Sequence, residues 1–441
     1  DWGWPHSDLY GDQVVKTPHF NRIANSGILF EHAYISAPSC TPSRNAILTG
    51  QYHWQLGGGA NLWSAYPEGH VSFPRHLEKH GYFIGSYRKS FGPGKDLKQP
   101  VAGKRFKSPE AFFAARPKHQ PFCFWFGASD PHRGYAKGSG KRSGMDLSKI
   151  QVPPMFPDNQ EVRSDIADYY FEVQRFDRDV GKVLKMLETS GDLANTLIIM
   201  TGDHGWPFPR GKSNLYDLGT RVPLAIMWGD GLKKPKRKCS DFVSLIDIAA
   251  TIYDVTKVTP PAKTPGHSLL PLLQNSPNFT GRKFILTGKE RHTPCQESTM
   301  QGYPCRAIRN HQYLYIKNIQ PNLWPAGAPK GKFRGYYGDI DNGPTKTSII
   351  AGRNTTKGKK FFTWSCGKRP AEELYDCAQD PFQLHNLADQ PNHTTTLKNL
   401  RIQLDKELQK TGDLRTLNPG NEYVEAQYLG RIGKDKNRTT P

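Results

Sequence analysis

The clearest periodic pattern of the chain lies between residues 159 and 190. Apolar side chains recur there at spacings of three and four, which places them on one face of an α-helix: Val162, Ile166, Tyr169, Val173, Phe176, Val180, Val183 and Leu187. Gly191 follows directly, and glycine is the residue that most often ends a helix. The pattern therefore predicts one long amphipathic helix over 159–190.

Shorter apolar runs predict buried β-strands. The runs at 82–88, 121–127 and 197–200 are apolar and rich in aromatic or β-branched residues, and each is followed by polar residues. A helix is predicted over 17–27, before an extended apolar stretch at 28–30. Strands that alternate with helices in this way indicate an α/β fold around a largely parallel sheet.

Polar side chains that could take part in catalysis or metal binding follow these strands. In open α/β sheets the functional site lies at the carboxyl ends of the strands, and Cys40, Lys89, His132 and the pair at 203–204 all come after predicted strands. Cys40 is predicted just ahead of a helix that runs to Gly50. The unpaired backbone N–H groups at such a helix start favour negative charge on the residue that faces them.

The sequence pattern of the chain changes after about residue 285. Shorter strands, glycines, prolines and aromatic residues become frequent, with a strand predicted at 313–316 and a late helix at 395–408. We therefore predict a catalytic domain over 1–285 and a smaller C-terminal subdomain over 286–441.

The net charge of the chain restricts the classes of molecule that it is expected to bind. The 441 residues carry a formal net charge of +20, which favours polyanions such as nucleic acid, an anionic surface or an acidic polysaccharide. No nucleic-acid-binding motif accompanies the basic runs at 233–238 and 357–360, so an acidic glycan is favoured over nucleic acid. A solvated basic face without a partner is the alternative. No apolar run reaches the ~18 residues that cross a bilayer, so no membrane span is predicted.

The strongest chemical signal is a short motif that begins at Cys40. The sequence Cys-Thr-Pro-Ser-Arg at 40–44, followed by Leu-Thr-Gly at 48–50, resembles the C-x-P-S-R and L-T-G signature of the type I sulfatases. In that family a formylglycine-generating enzyme oxidises the cysteine to formylglycine, whose hydrated aldehyde is the nucleophile. The resemblance implies an alkaline-phosphatase-like α/β fold, in which helices flank a mixed, mostly parallel sheet and a smaller C-terminal subdomain contains an antiparallel sheet.

The resemblance also implies a metal site. A hydrated aldehyde offers one hydroxyl to attack sulfur and a second whose collapse expels sulfate, so the second step needs no external water. One Ca²⁺ ion is expected, held by Asp1, Asp203, His204 and the oxygen that formylglycine places at Cys40. Asp1 matches the second member of the family's Asp-Asp pair. Because Ca²⁺ prefers oxygen ligands, His204 is the weakest member of this set.

Basic side chains are implied around the nucleophile. Arg44 would anchor formylglycine, Lys89 takes the place of the lysine in the family's G-K-x-H element, and Lys212 would hold a sulfate oxygen. His132, in the Asp-Pro-His-Arg stretch at 130–133, would protonate the leaving group, since an imidazole pKa of ~6.5 suits proton donation.

Two stretches narrow the resemblance further. Residues 130–133 and 205–216 resemble the N-sulfoglucosamine sulfohydrolase (heparan N-sulfatase) subgroup and its bacterial polysaccharide-sulfatase relatives. The implied substrate is a sulfated polysaccharide or its oligosaccharides, either N-sulfoglucosamine of heparan type or an O-sulfated algal polysaccharide such as ulvan. The family also implies an exported protein, whether periplasmic, extracellular or lysosomal.

The pattern departs from the family in three places. The first Asp of the metal pair and the strand before it are absent from the sequence, so we expect it to be a fragment of a longer chain. Ser90 and Phe91 stand where G-K-x-H has its last two residues, so the histidine is missing, and Lys212 stands where the subgroup has Arg. Since Lys is a point charge and not a planar fork, substrate orientation would differ.

Two other functions compete with a sulfatase. One is a phosphonate or phosphate ester hydrolase of the same superfamily, which would usually use Ser or Thr as nucleophile with a second metal ion. The other is a non-catalytic, polyanion-binding protein that descends from a sulfatase. Conversion of Cys40 to formylglycine would discriminate the latter from an enzyme.

Overall fold

Two four-stranded sheets, one three-stranded sheet and one two-stranded sheet organise the described part of the chain. The computed structural model describes residues 1–262, 264–297, 299–331, 335–417, 423 and 426–431. The strands are β1 Ile28–Tyr34, β2 Ser64–Ala65, β3 Phe83–Arg88, β4 Gly94–Lys95, β5 Lys104–Phe106, β6 Phe122–Gly127, β7 Ile198–Thr201, β8 Leu224–Met227, β9 Arg237–Ser244, β10 Ile285–Lys289, β11 Cys305–Arg309, β12 Tyr313–Asn318 and β13 Glu372–Asp376. The α-helices are α1 Pro18–Asn25, α2 Cys40–Thr49, α3 Phe73–Lys79, α4 Pro109–Ala115, α5 Ser139–Arg142, α6 Gln160–Ser190, α7 Asp217–Thr220, α8 Asp247–Thr256, α9 Leu270–Leu273, α10 Pro344–Ala351, α11 Thr356–Cys366, α12 Thr394–Lys410 and α13 Leu414–Leu417.

The sheets of the N-terminal part are mixed in direction. One sheet has the order β5-β3-β6 and is parallel throughout. A second has the order β7-β8-β1-β9, in which β1 runs parallel to β9 and antiparallel to β8, while β7 and β8 are antiparallel. Strands β2 and β4 form a small parallel sheet of their own. The predicted α/β class and the mixed, mostly parallel strands are confirmed. The antiparallel β8 returns beside β7 after the connection at 202–223, which includes the short helix α7.

Helix α6 confirms the long periodic pattern. The side chain of Asn159 accepts a hydrogen bond from the backbone N–H of Val162 and caps its start, a contact worth about 1 kcal/mol. Gly191 ends the helix with a φ of 77°, a left-handed conformation that glycine adopts at little cost. On the buried face, the Tyr169 hydroxyl accepts a hydrogen bond of 3.1 Å from the backbone N–H of Gly3. The helix therefore holds the N-terminal segment that carries Asp1.

A cavity of about 560 Å³ lies between the β5-β3-β6 sheet and the β7-β8-β1-β9 sheet. Strands β6 and β7 line it, and each is an edge strand within the part of the chain that the structure describes. Apolar side chains of both strands, including Phe124 and Ile199, are only half-buried. Asp1 and Asp203 line the same cavity. The strand expected ahead of Asp1 lies outside the sequence, and its existence stays a prediction.

The C-terminal sheet is antiparallel. Its strand order is β10-β11-β12-β13, and every neighbouring pair is antiparallel. Helix α12 packs on it through Leu397, Leu400, Leu404 and Leu408. The antiparallel subdomain and the strand and helix predicted within it are confirmed, whereas the division at residue 285 stays a prediction. No helix in the described part of the chain is long and apolar enough to span a bilayer.

Candidate active site

Cys40 lies at the amino end of a completely buried helix. Ser39 is the N-cap of α2, and Cys40 is its first residue with 2% of its surface exposed. The prediction that Cys40 precedes the helix is therefore wrong by one position: Cys40 stands inside the first turn, where the backbone N–H groups have no partner within the helix. Burial raises the pKa of the thiol, but Lys89 and Lys212 overcome this effect and lower it to about 7. The environment of Cys40 thus favours negative charge.

Carboxylate and imidazole groups surround the Cys40 sulfur. Ligand atoms of Cys40, Asp203 and His204 all lie within 4.8 Å of one another, and so do those of Asp1, Cys40 and His132. Asp203 follows β7 directly, as predicted. The His204 Nε2 lies 3.3 Å from Cys40 Sγ and 3.4 Å from the Asp1 carboxylate, while its Nδ1 bonds to the carbonyl of Gly205. The site therefore has donor atoms that could hold a cation.

Arg44 joins the nucleophile helix to two other elements of the site. Its Nε donates to Asp203 Oδ2 at 2.8 Å, and its Nη1 donates to the carbonyls of Lys89 and Ser90 at 3.0 and 2.9 Å. Lys89 Nζ lies 3.7 Å from the same Asp203 oxygen. Ser90 and Phe91 bring no imidazole to this loop, and Phe91 is buried in the core. Arg44 therefore fixes both Asp203 and the loop that presents Lys89.

His132 lies on the loop after β6, and Arg133 anchors that loop. The Arg133 guanidinium donates to both carboxylate oxygens of Asp165 at 2.7 and 2.9 Å and to the Pro207 carbonyl at 2.8 Å. Its charge also lies 4.3 Å from the centroid of the Phe208 ring. The side chain of His132 is exposed, and the ammonium of Lys212 lowers its pKa to about 4. His132 is therefore neutral at pH 7, and an anion bound beside Lys212 would raise its pKa.

Lys212 stands between two carboxylates. Its Nζ lies 2.9 Å from Asp1 Oδ1 and 3.0 Å from Asp341 Oδ2, and its side chain is 5% exposed. Burial works to lower the pKa of Lys212, but Asp341 and Cys40 raise it. Lys212 is therefore a fixed positive charge. Every residue that the sequence assigned to the site is thus found around Cys40.

The structure adds residues that the sequence analysis missed. Burial favours the neutral form of Asp341, yet Lys212, His132 and His292 hold the pKa of this carboxyl below its ordinary value. His292 Nδ1 lies 2.8 Å from the hydroxyl of Ser39, and burial lowers the pKa of His292 to about 3. Both come from beyond residue 285. No motif marks either residue, so only tertiary contacts reveal them.

Comparisons with known proteins agree with this geometry. A family model described as sulfatase matches residues 1–98 and 106–258, and one described as the C-terminal part of N-sulphoglucosamine sulphohydrolase matches 202–321. The chain is 28% identical to an ulvan-active sulfatase of Formosa agariphila, over 96% of this chain and 75% of that protein. It is 29% identical to the N-sulphoglucosamine sulphohydrolase of Homo sapiens, over 94% of this chain and 89% of that protein.

Solved structures show the same fold. One of them, described as a complex with its substrate D-glucosamine-2-N,6-O-disulfate, superimposes with a TM-score of 0.65 at 19% identity and covers 95% of this chain and 98% of that one. The likeness extends over both the mixed sheets and the antiparallel C-terminal sheet. Since the sulfatase model matches more than half of the residues, the chain belongs to the sulfatase family.

Proposed function

We propose that the protein is a formylglycine-dependent sulfatase that removes sulfate groups from a sulfated polysaccharide or its oligosaccharides. One observation carries this proposal: Cys40 begins a buried helix, and Lys89, Lys212, Arg44 and His132 converge on it. Fixed positive charge of this kind stabilises the charge that develops on sulfate oxygens in the transition state. A merely structural cysteine would not need such an environment.

The donor set fits a calcium ion. Asp1 Oδ1 is buried and accepts no hydrogen bond of good geometry from the described residues, although Lys212 Nζ lies near it. Asp1, Asp203 and the oxygen that replaces sulfur at Cys40 would hold the ion, since Ca²⁺ takes oxygen ligands. His204 contributes a nitrogen and is the weakest candidate. The bound ion would supply Lewis-acid polarisation of the sulfate group.

The protein's own residues account for the remaining chemistry. Formylglycine, made from Cys40 by a formylglycine-generating enzyme, supplies the hydroxyl nucleophile once hydrated. Lys89 and Lys212 hold the sulfate oxygens and thereby aim the sulfur at this position. The sulfate anion offsets the charge of Lys212 and raises the pKa of His132, so the imidazole takes up a proton. His132 then donates this proton to the departing oxygen or nitrogen of the sugar.

The substrate class follows from relatives and charge. The two named relatives act on ulvan and on N-sulphoglucosamine, and both substrates are sulfated sugars. The net charge of +20 suits a polyanionic chain. We place the protein outside the cytoplasm, where such substrates occur, with neither nucleic acid nor a membrane as partner. N-sulfoglucosamine and algal O-sulfate are the two substrates to compare first.

One observation favours a second candidate, a polyanion-binding protein without turnover. The G-K-x-H position holds Ser90 and Phe91, so the imidazole that assists expulsion of sulfate in the family is missing there. The structure brings another imidazole close: His204 Nε2 lies 3.3 Å from Cys40 Sγ. With the calcium ion held by Asp1, Asp203 and the formylglycine oxygen, this nitrogen would be free to assist the expulsion of sulfate, which supports turnover over mere binding.

Sulfate release tests the proposal. The protein is co-expressed with a formylglycine-generating enzyme, conversion of Cys40 is measured by mass spectrometry, and free sulfate is measured after incubation with heparin fragments, N-sulfoglucosamine and ulvan oligosaccharides. Release from at least one of them, and none from the Cys40→Ala variant, is the expected result. Binding of these glycans without release by the converted protein would favour the second candidate.

A further inference from the structure

Asp341 is a carboxylate whose ion pair with Lys212 is its one contact with the residues assigned to the hydrolytic chemistry, among those that the structure describes. Its Oδ2 accepts a hydrogen bond from Lys212 Nζ at 3.0 Å, and the same Nζ lies 2.9 Å from Asp1 Oδ1. The side chain of Asp341 is 25% exposed, whereas those of Asp1 and Asp203 are 2% and 8% exposed. Asp341 therefore lies nearer to the solvent-facing part of the site than the carboxylates beside Cys40.

The backbone around Asp341 is held rigidly by its neighbours. Asp339 Oδ2 accepts from Lys289 Nζ at 2.9 Å, and Asp339 Oδ1 accepts from the backbone N–H of Thr293 at 2.9 Å. Directly before Asp341, the carbonyl of Ile340 accepts a hydrogen bond from Lys346 Nζ at 2.9 Å. The Asp341 side chain takes no part in these bonds. The loop therefore fixes the position of Asp341 without using its carboxylate.

One oxygen of Asp341 lacks a donor. Oδ2 is bonded to Lys212, whereas Oδ1 accepts no hydrogen bond from any residue that the structure describes. An ionised carboxylate only accepts hydrogen bonds, and its second oxygen needs a donor when a ligand displaces water from the site. Sugar hydroxyl and amino groups are such donors, but a sulfate group is not.

We propose that Asp341 binds the hydroxyl or amino group on the sugar carbon next to the one that carries the sulfate. This inference builds on the proposed sulfatase function. A sulfate oxygen on Lys212 would place the neighbouring substituent of the ring beside the Asp341 oxygen, because Lys212 Nζ is one hydrogen bond away from Asp341. A second sulfate at that position would set anion against anion. Asp341 would then select sugars whose neighbouring position is unsulfated.

The competing explanation is structural: Asp341 would only hold Lys212 in place. The two explanations differ in which substrates lose activity. Lys212 is expected to contact the sulfate group of every substrate, so a loss that acts through Lys212 affects all substrates equally. The proposed hydrogen bond of Asp341 cannot form with 4-nitrophenyl sulfate, because this substrate has no hydroxyl group next to its sulfate.

The test compares kcat and KM of the converted wild-type, Asp341→Ala and Asp341→Asn proteins. The substrates are 4-nitrophenyl sulfate and whichever of N-sulfoglucosamine and ulvan oligosaccharide the wild type hydrolyses. Loss of a hydrogen bond to a charged group costs about 1.5–3 kcal/mol, so KM for the sugar should rise about 10–150-fold in Asp341→Ala. Asp341→Asn keeps one acceptor and should lose less. KM for 4-nitrophenyl sulfate should change less than about threefold.

Asn342→Ala is the matched control. Asn342 Oδ1 accepts from Lys346 Nζ at 3.0 Å, so this variant perturbs the same loop but leaves Asp341 in place, and its sugar KM should stay near that of the wild type. Equal losses on both substrates in Asp341→Ala, or no loss on the sugar, would overturn the inference. A wild-type protein that releases sulfate from none of these substrates would instead remove the proposed function.

Discussion

Arg133 should position the proton donor of the reaction without touching the substrate. Its guanidinium is 8% exposed and forms a paired contact with Asp165, which is 2% exposed. Arg133→Met would keep much of the apolar contact with Phe208 but leave the Asp165 carboxylate buried without its cation. Loss of one partner of a buried ion pair typically costs about 3–5 kcal/mol. The midpoint of urea unfolding should therefore fall markedly.

The same substitution should impair proton donation. A general acid contributes about 10²–10⁴-fold to the rate, and a displaced His132 should lose much of this contribution, so we expect kcat on a sugar sulfate to fall about 100-fold. A substrate whose leaving group needs no proton should be spared. The assay therefore compares kcat on the preferred sugar sulfate with kcat on 4-nitrophenyl sulfate, whose phenolate leaves readily.

A second variant separates the effect of Arg133 on the position of His132 from its effect on the stability of the fold. Arg133→Met combined with Asp165→Asn removes the buried charge, yet keeps an acceptor for Thr345, whose backbone N–H and hydroxyl bond to Asp165 at 3.1 and 2.7 Å. The midpoint of urea unfolding should return toward that of the wild type, whereas kcat on the sugar sulfate should stay low. Recovery of both, or a wild-type kcat in folded Arg133→Met protein, would refute a positioning role for Arg133.

Three further predictions concern the nucleophile and the metal. Cys40→Ala should abolish turnover but retain glycan binding, as measured by sulfate release and isothermal titration calorimetry; turnover at the wild-type rate would contradict a nucleophile derived from Cys40. Asp203→Asn should lose both bound calcium and activity while its circular dichroism stays native, and an unchanged calcium content by elemental analysis would disprove the ligand assignment. In the unconverted, metal-free protein, iodoacetamide should alkylate Cys40 with a midpoint near pH 7, because the pKa of its thiol is about 7. Burial raises the thiol pKa of Cys239 and Cys305 to about 12, so these cysteines should stay unmodified at that pH. Peptide mass spectrometry that finds Cys239 modified as much as Cys40 at pH 7 would contradict the cationic environment of Cys40.

Local signals were sufficient for much of the fold. The spacing of apolar residues over 159–190 predicted α6 to within one residue, because one buried face and a glycine terminator act within a few turns. The runs at 82–88 and 121–127 likewise became β3 and β6. Direction within the sheets was harder to predict, since the antiparallel β8 depends on which strands meet in space. The position of Cys40 was wrong by one residue because helix starts depend on capping geometry.

The order of the amino acids was enough to assign the family and to name candidate site residues. The Cys-Thr-Pro-Ser-Arg motif at 40–44 is contiguous, so its meaning does not depend on the rest of the fold. The environment of these residues was decided only by the tertiary structure. Arg133, on the loop after β6, forms an ion pair with Asp165 on helix α6, and Asp341 contacts Lys212 although 129 residues separate them in the sequence. Charges act through space and not along the chain, so pKa values, ion pairs and the sugar-facing carboxylate become visible only once the chain has folded.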